Sequence, residues 1–127
     1  LQDTHSKAIG GISFKDDSML DRFSRKGYET WRIDPQKDLL LDNCASVESI
    51  QSFLDYNTAR QISQRYGKVD LLVLRHIWEH VYHQGQFAQA LNELISEEGY
   101  ILFEVPDCTN FLKSFDCTMI WEEHLCY

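Results

Sequence analysis

No apolar run in the 127 residues approaches the roughly 20 that a membrane-spanning helix needs, and the start Leu1-Gln2-Asp3-Thr4-His5 is too polar for a signal peptide. A membrane is therefore not an expected partner, and a cytoplasmic location is expected. Basic residues are scarce, twelve against twenty acidic for a formal charge of -8, and they are scattered along the chain. They leave no electrostatic footprint for a phosphate backbone, so nucleic acid is not expected either. The four cysteines Cys44, Cys108, Cys117 and Cys126 include no CxxC pair. That argues against a zinc knuckle or a thioredoxin-type centre and for reduced structural thiols, with no metal expected. Internal repeats, low-complexity tracts and a dividing linker are missing, as is an initiating methionine. Residues 1–127 are expected to form one domain, a fragment of a longer protein.

What is present supports a packed core. A hydrophobic share of 43% and an aromatic share of 13% supply the apolar groups that disordered chains lack. At this length roughly two thirds of the unfolded surface can be buried in a single core.

Patterning then divides the chain. The apolar run 7–14 reads as a strand, Asp16-Asp17-Ser18 can cap a helix carrying Met19, Leu20 and Phe23, and Gly27 stops it. Residues 28–33 mix aromatic and β-branched types and end at Asp34-Pro35, which suits a second strand with an acid at its exit. A short helix or turn is expected over 38–43 and a weaker third strand over 47–53. Ala59, Ile62 and Tyr66 share a helical face that Gly67 ends, and 69–74 is nearly continuous apolar sequence, as in a strand buried on both faces. Phe87, Leu91, Leu94 and Ile95 form another amphipathic stripe, Glu97-Glu98-Gly99 a turn, and 100–105 a further buried strand stopped by Pro106. Strands alternating with helices predict an α/β fold, Rossmann-like and doubly wound, with a mostly parallel sheet and helices on both faces. The first strand is expected between the second and the one over 69–74, and the last two strands are expected to be central and inaccessible. Trp31, Phe87, Tyr100 and Phe103 read as core.

In such a sheet, ligands gather beyond the carboxyl ends of the strands where strand order reverses. The residues there are 13–17, Asp34-Pro35, 53–55, 75–80 and 104–107. Asp34 lies 24 residues beyond Gly10, near the ~20 expected of an acid that accepts hydrogen bonds from ribose hydroxyls. Its plain alternative is an acid in a turn before proline. The first loop offers Ser13-Phe14-Lys15-Asp16-Asp17 where a nucleotide loop needs glycines, because Gly10 and Gly11 fall inside the strand. Adjacent carboxylates there would repel a pyrophosphate, while a sulfonium cofactor without phosphate is compatible.

Three segments, Val69-Asp70-Leu71-Leu72-Val73-Leu74-Arg75-His76-Ile77-Trp78-Glu79-His80-Val81, Glu104-Val105-Pro106-Asp107 and Ile120-Trp121-Glu122-Glu123-His124-Leu125-Cys126-Tyr127, carry a resemblance. Together with Arg32-Ile33-Asp34-Pro35, they resemble the class I S-adenosylmethionine-dependent methyltransferases related to sugar C-methyltransferases, across nearly the whole chain. The resemblance implies a domain truncated at its C-terminal end, its N- and C-terminal partner domains absent. It implies methyl transfer to a small-molecule acceptor, such as a nucleotide sugar. Asp34 would then hold the ribose, Ser13 and Asp17 would lie in the loop near the methionine end, and Phe53 and Asp55 would lie near adenine. Arg75 and His76 would line the cofactor face. His124 is implied as general base, with Glu123 beside it.

Two departures weigh against a full match. Ser13 and Asp17 stand at the family's glycine positions, and Trp121 and Glu122 stand where a tyrosine and a histidine precede the family's Glu-His pair. The alternative is a non-catalytic, methyltransferase-like domain with lost or weak cofactor binding that serves as a binding module. His76-Ile77-Trp78-Glu79-His80 also matches the H-x-x-E-H pattern of inverted zinc peptidases, but a strand-to-helix turn would splay the two histidines. The plainer expectation is that Glu79 and His80 satisfy backbone groups at a helix start.

Overall fold

A computed structural model describes residues 7–12, 18–42, 46–115 and 118. Four strands, β1 (Ala8–Ile12), β2 (Glu29–Arg32), β3 (Val69–Arg75) and β4 (Ile95–Glu104), make one sheet in the order β2-β1-β3-β4, and every neighbouring pair is parallel. The expected place of the first strand is therefore observed. Around the sheet lie α1 (Ser18–Arg25), α2 (Val47–Phe53), α3 (Tyr56–Tyr66), α4 (Gln84–Leu94) and α5 (Thr109–Ser114), with one 3-10 turn at Trp78–His80.

Strand alternation separates two apolar clusters, because successive side chains point to opposite faces. Ile9, Val73 and Leu71 pack with Met19, Leu20 and Phe23 of α1. Ile12, Leu72 and Leu74 pack with Ala59 and Ile62 of α3 and with Phe87, Ala90, Leu91 and Leu94 of α4. Leu72 and Leu94 are fully shielded, so each contributes roughly 1.5–3 kcal/mol of burial. Gly10 lies inside β1, where a Cβ would come 3.2 Å from both the Trp31 ring and Leu72. Its missing side chain makes room for Trp31 rather than for a nucleotide.

Helix ends follow the sequence signals at Gly27 and Gly67, whose φ values of 89° and 85° suit glycine. The segment 47–53 departs from expectation: it is α2, not a strand. Ser46 caps it by accepting from Ser49 N at 3.3 Å, and Val47, Ile50 and Phe53 recur at a helical spacing that a β-branched count overlooks. A turn covers 35–38, earlier than the short helix or turn expected over 38–43, of which residue 43 lies outside the described residues.

The last strand also departs from expectation. β3 is internal and buried, but β4 is the sheet edge among the described residues, with Tyr100 74% and Phe103 44% exposed. Both were expected in the core, and neither is buried because no further strand or helix among the described residues covers that edge. The turn at Glu97-Glu98-Gly99 is absorbed into β4 as a bulge, since β3 advances from Val69 to Leu71 while β4 advances from Ile95 to Tyr100.

Candidate functional site

The exits of β1, β2 and β3 are neighbours because β1 lies between the other two, and strand order reverses between β1 and β3. At the β2 exit Asp34 is held in a turn, its Oδ1 accepting from Gln36 N at 2.9 Å and Lys37 N at 3.2 Å. The Lys37 amide, then the Gln36 amide and the charges of Lys37 and Arg32, hold the Asp34 carboxyl below its ordinary value against a desolvation cost. Oδ2 has only a loose pairing with Lys37 Nζ, at 3.8 Å. The turn reading of Asp34 is the one these contacts bear on, since Oδ1 closes the turn.

The turn itself hangs on a residue that sequence reasoning passed over. Asp38 has a side chain with no exposure, and its Oδ1 accepts from Arg65 Nη1 at 2.7 Å and from the Tyr66 hydroxyl at 3.1 Å. Its Oδ2 accepts from Asp34 N at 2.8 Å. Tyr66 stacks on Trp31, with ring centroids 5.4 Å apart, so β2, its exit and α3 form one unit. The signal available in the sequence was the four-residue spacing of two aspartates; their partners on α3 left none.

At the β3 exit the register places Arg75 opposite Glu104 of β4. Arg75 donates from Nε and Nη2 to the two Glu104 oxygens at 2.6 and 3.1 Å, a bidentate pair. Those bonds, with help from His76, hold the Glu104 carboxyl below its ordinary value. His76 follows with a left-handed φ of 52°, its amide donating to Glu104 O at 2.9 Å, so the chain leaves the sheet abruptly. The His76 ring lies between two acids, with Nε2 3.0 Å from Glu104 Oε1 and Nδ1 3.4 Å from Glu79 Oε1. Glu79 does not satisfy backbone groups as expected; its carboxyl is buried and has no hydrogen-bond partner among the described residues.

The structure thus joins Arg75 and His76, through Glu104, and places Asp34 in its own network with Asp38. Asp55 and Phe53 sit elsewhere. Asp55 caps α3 by accepting from Thr58 N at 2.8 Å, and Phe53 is exposed at the end of α2. Asp55 also borders a cavity of about 440 Å³ lined by Gln51, Tyr56, Tyr82, His83 and Gln86, among others. Trp78 is half-buried, edge-on to Phe103 at 5.2 Å. Ser13, Asp17, Glu123 and His124 lie outside the described residues, as does Trp121.

Among the described residues no group of three or more histidines, cysteines, aspartates or glutamates is placed to hold a metal ion. The His76 to His80 block spans a strand exit and one 3-10 turn, not the helix that a zinc-peptidase arrangement requires. No helix of the described residues is long and apolar enough to cross a membrane. Compared with protein-family models and with curated proteins, the chain matches none.

Proposed function

We propose that this chain is the cofactor-binding core of a Rossmann-like, doubly wound, class I methyltransferase that moves a methyl group from S-adenosylmethionine to a small-molecule acceptor, with nucleotide sugars as the acceptor class. One observation carries the reading: the parallel order β2-β1-β3-β4 sets the exits of three strands around a single reversal point, with a carboxylate at the exit of β2. In that crevice Oδ2 of Asp34 is the acceptor for the ribose hydroxyls, and Arg75 and His76 line the opposite wall. On this reading adenine would lie toward Phe53 and Asp55; of the two, Asp55 borders the 440 Å³ cavity, a volume within the roughly 300–1,000 Å³ range of small-molecule sites. The methionine end belongs to the loop of Ser13 and Asp17, and the missing glycines there make the binding weak.

The chemistry asks little covalent work of the protein. When bound, S-adenosylmethionine would supply an electrophilic methyl group, and the protein's part would be to orient the acceptor and take up its proton at a base. His124 fills that role, with Glu123 next to it, since an imidazole of ordinary pKa near 6.5 exchanges protons at neutral pH. The test is transfer of isotopically labelled methyl to a panel of nucleotide sugars by the protein carrying this chain. His124→Asn should lower turnover by about two to four orders of magnitude while leaving cofactor affinity unchanged. Undiminished turnover removes His124 from the mechanism.

A second reading is a methyltransferase-like module that binds a partner without catalysis. The exposed Tyr100 and Leu102 of β4, with Val105 just beyond its end, favour it, because an uncovered apolar strand invites another surface. Cofactor binding without methyl transfer to any acceptor would support this reading.

A further inference from the structure

All four strands run parallel, so their starts gather at the end of the sheet opposite the exits. A cavity of about 420 Å³ opens there, a volume within the roughly 300–1,000 Å³ of small-molecule sites. Ile9 of β1 and Leu71 of β3 give it an apolar floor, and three aromatic residues line it: Phe23 from the last turn of α1, Tyr28 just ahead of β2, and Tyr100 of β4. Phe23 and Tyr28 meet edge to face with ring centroids 5.7 Å apart. Tyr100 is the ring that core packing does not explain, since it is 74% exposed inside a strand. Asp70 also lines the cavity and ties two of its walls together. Its Oδ2 accepts from Ala8 N at 3.0 Å, at the start of β1, and its Oδ1 accepts from the Ser96 hydroxyl at 3.2 Å, in the β4 bulge. That bulge sits close on β3, because a Cβ at Gly99 would come 3.0 Å from Val69 O. The walls are therefore fixed before a ligand arrives, which lowers the cost of binding. Glu98, exposed in the same bulge, and Lys7, just before β1, complete the charged part of the lining. Two carboxylates against one ammonium leave it net negative.

We propose that this strand-entry cavity binds a small quaternary ammonium compound. Such a cation has no N–H to donate, so hydrogen-bond acceptors cannot select it; aromatic rings and nearby negative charge can, because the electron-rich ring face attracts a bulky, weakly hydrated cation. Phe23, Tyr28 and Tyr100 supply the rings, and Asp70 and Glu98 supply the charge. Both oxygens of Asp70 are already engaged, so it offers charge more than a vacant acceptor. A primary ammonium, with three donors to satisfy, is served less well. Lys7 is the one group that opposes the cation, and it does so from an exposed position. The cavity shares no lining residue with the strand exits, and the inference does not depend on the methyltransferase reading.

The test titrates the full chain, followed by amide NMR, with choline, with 3,3-dimethyl-1-butanol and with ethanolamine. The second is the neutral molecule of choline's shape, and the third is its primary-amine counterpart. Choline should give saturable shifts at the amides of Ala8 and Gly99, and the other two should bind at least several-fold more weakly. Tyr100→Leu should weaken choline about two- to fivefold, the scale of one exposed cation–π contact, while Tyr100→Phe keeps the ring and the affinity. Glu98→Gln should weaken choline and Lys7→Gln should strengthen it, each by up to about fivefold, as expected of exposed charges. All three positions are exposed, so the variants are expected to fold, and unchanged amide spectra away from the cavity check it. Equal binding of the three probes, choline shifts confined to the strand exits, affinity indifferent to Tyr100→Leu, or a shift of the same sign in Glu98→Gln and Lys7→Gln overturns the proposal.

Discussion

Replacing Asp38 by alanine removes three contacts at once, and the structure says how unequal they are. Arg65 is more than half exposed, so its guanidinium returns to water and its share of the loss is small. The Asp34 amide and the Tyr66 hydroxyl are part-buried and lose a charged acceptor, for which about 1–3 kcal/mol each is the usual cost. Because both bonds converge on one carboxylate they are not additive, and a total of about 2–4 kcal/mol is expected. Urea unfolding monitored by tryptophan fluorescence is the assay, with the midpoint shifting and the slope unchanged. Asp38→Asn keeps an acceptor oxygen and should lose roughly half as much, while Arg65→Ala should lose less than about 1 kcal/mol. A loss below about 0.5 kcal/mol for Asp38→Ala would mean that the burial cost of the carboxylate cancels its bonds, and the turn carrying Asp34 would then need another anchor.

Other expectations follow from single features of the structure. Gly99→Ala would place a Cβ 3.0 Å from the carbonyl oxygens of Ser96 and Val69, both backbone, so thermal unfolding should show a loss of about 1–3 kcal/mol; an unchanged transition would mean that the β4 bulge is plastic. Glu104 has an ordinary value of 4.5 that folding lowers, chiefly through Arg75, so its contribution is complete above that pH and disappears as pH falls through the folded-state value. Glu104→Gln should accordingly flatten the acid limb of the stability profile below about pH 4.5 and leave its shape at neutral pH unchanged; an acid limb identical to that of the unsubstituted protein would show that Arg75 gains nothing from the pairing.

Period and breaker signals carried most of the architecture. The apolar run of β3, the stripe of α4 and the glycines after α1 and α3 each report local chemistry, and the parallel order follows because such runs must be covered on both faces. Where the reading failed, the deciding information was not local. Val47 and Ile50 are β-branched, yet the Ser46 cap and three-residue spacing win once the segment packs against the core. The stretch 100–105 is as apolar as β3, but burial depends on what lies beside a strand, and at the sheet edge among the described residues little does. At the site, the acid after β2 and the Arg-His pair after β3 were visible as strand-exit residues. Invisible were the partners brought from far along the chain: Arg65 and Tyr66 to Asp38, and Glu104 to Arg75. The burial of Glu79 was invisible too, since a charged residue four positions after a strand ordinarily faces water.

The central claim is that the strand-exit crevice holds S-adenosylmethionine through Asp34, and isothermal titration of the chain with that compound tests it most directly. The expected result is weak, saturable, one-to-one binding that Asp34→Ala reduces by about 1–3 kcal/mol, the scale for losing hydrogen bonds to a charged group. No binding at all, or submicromolar binding that ignores the Asp34 substitution, would contradict it.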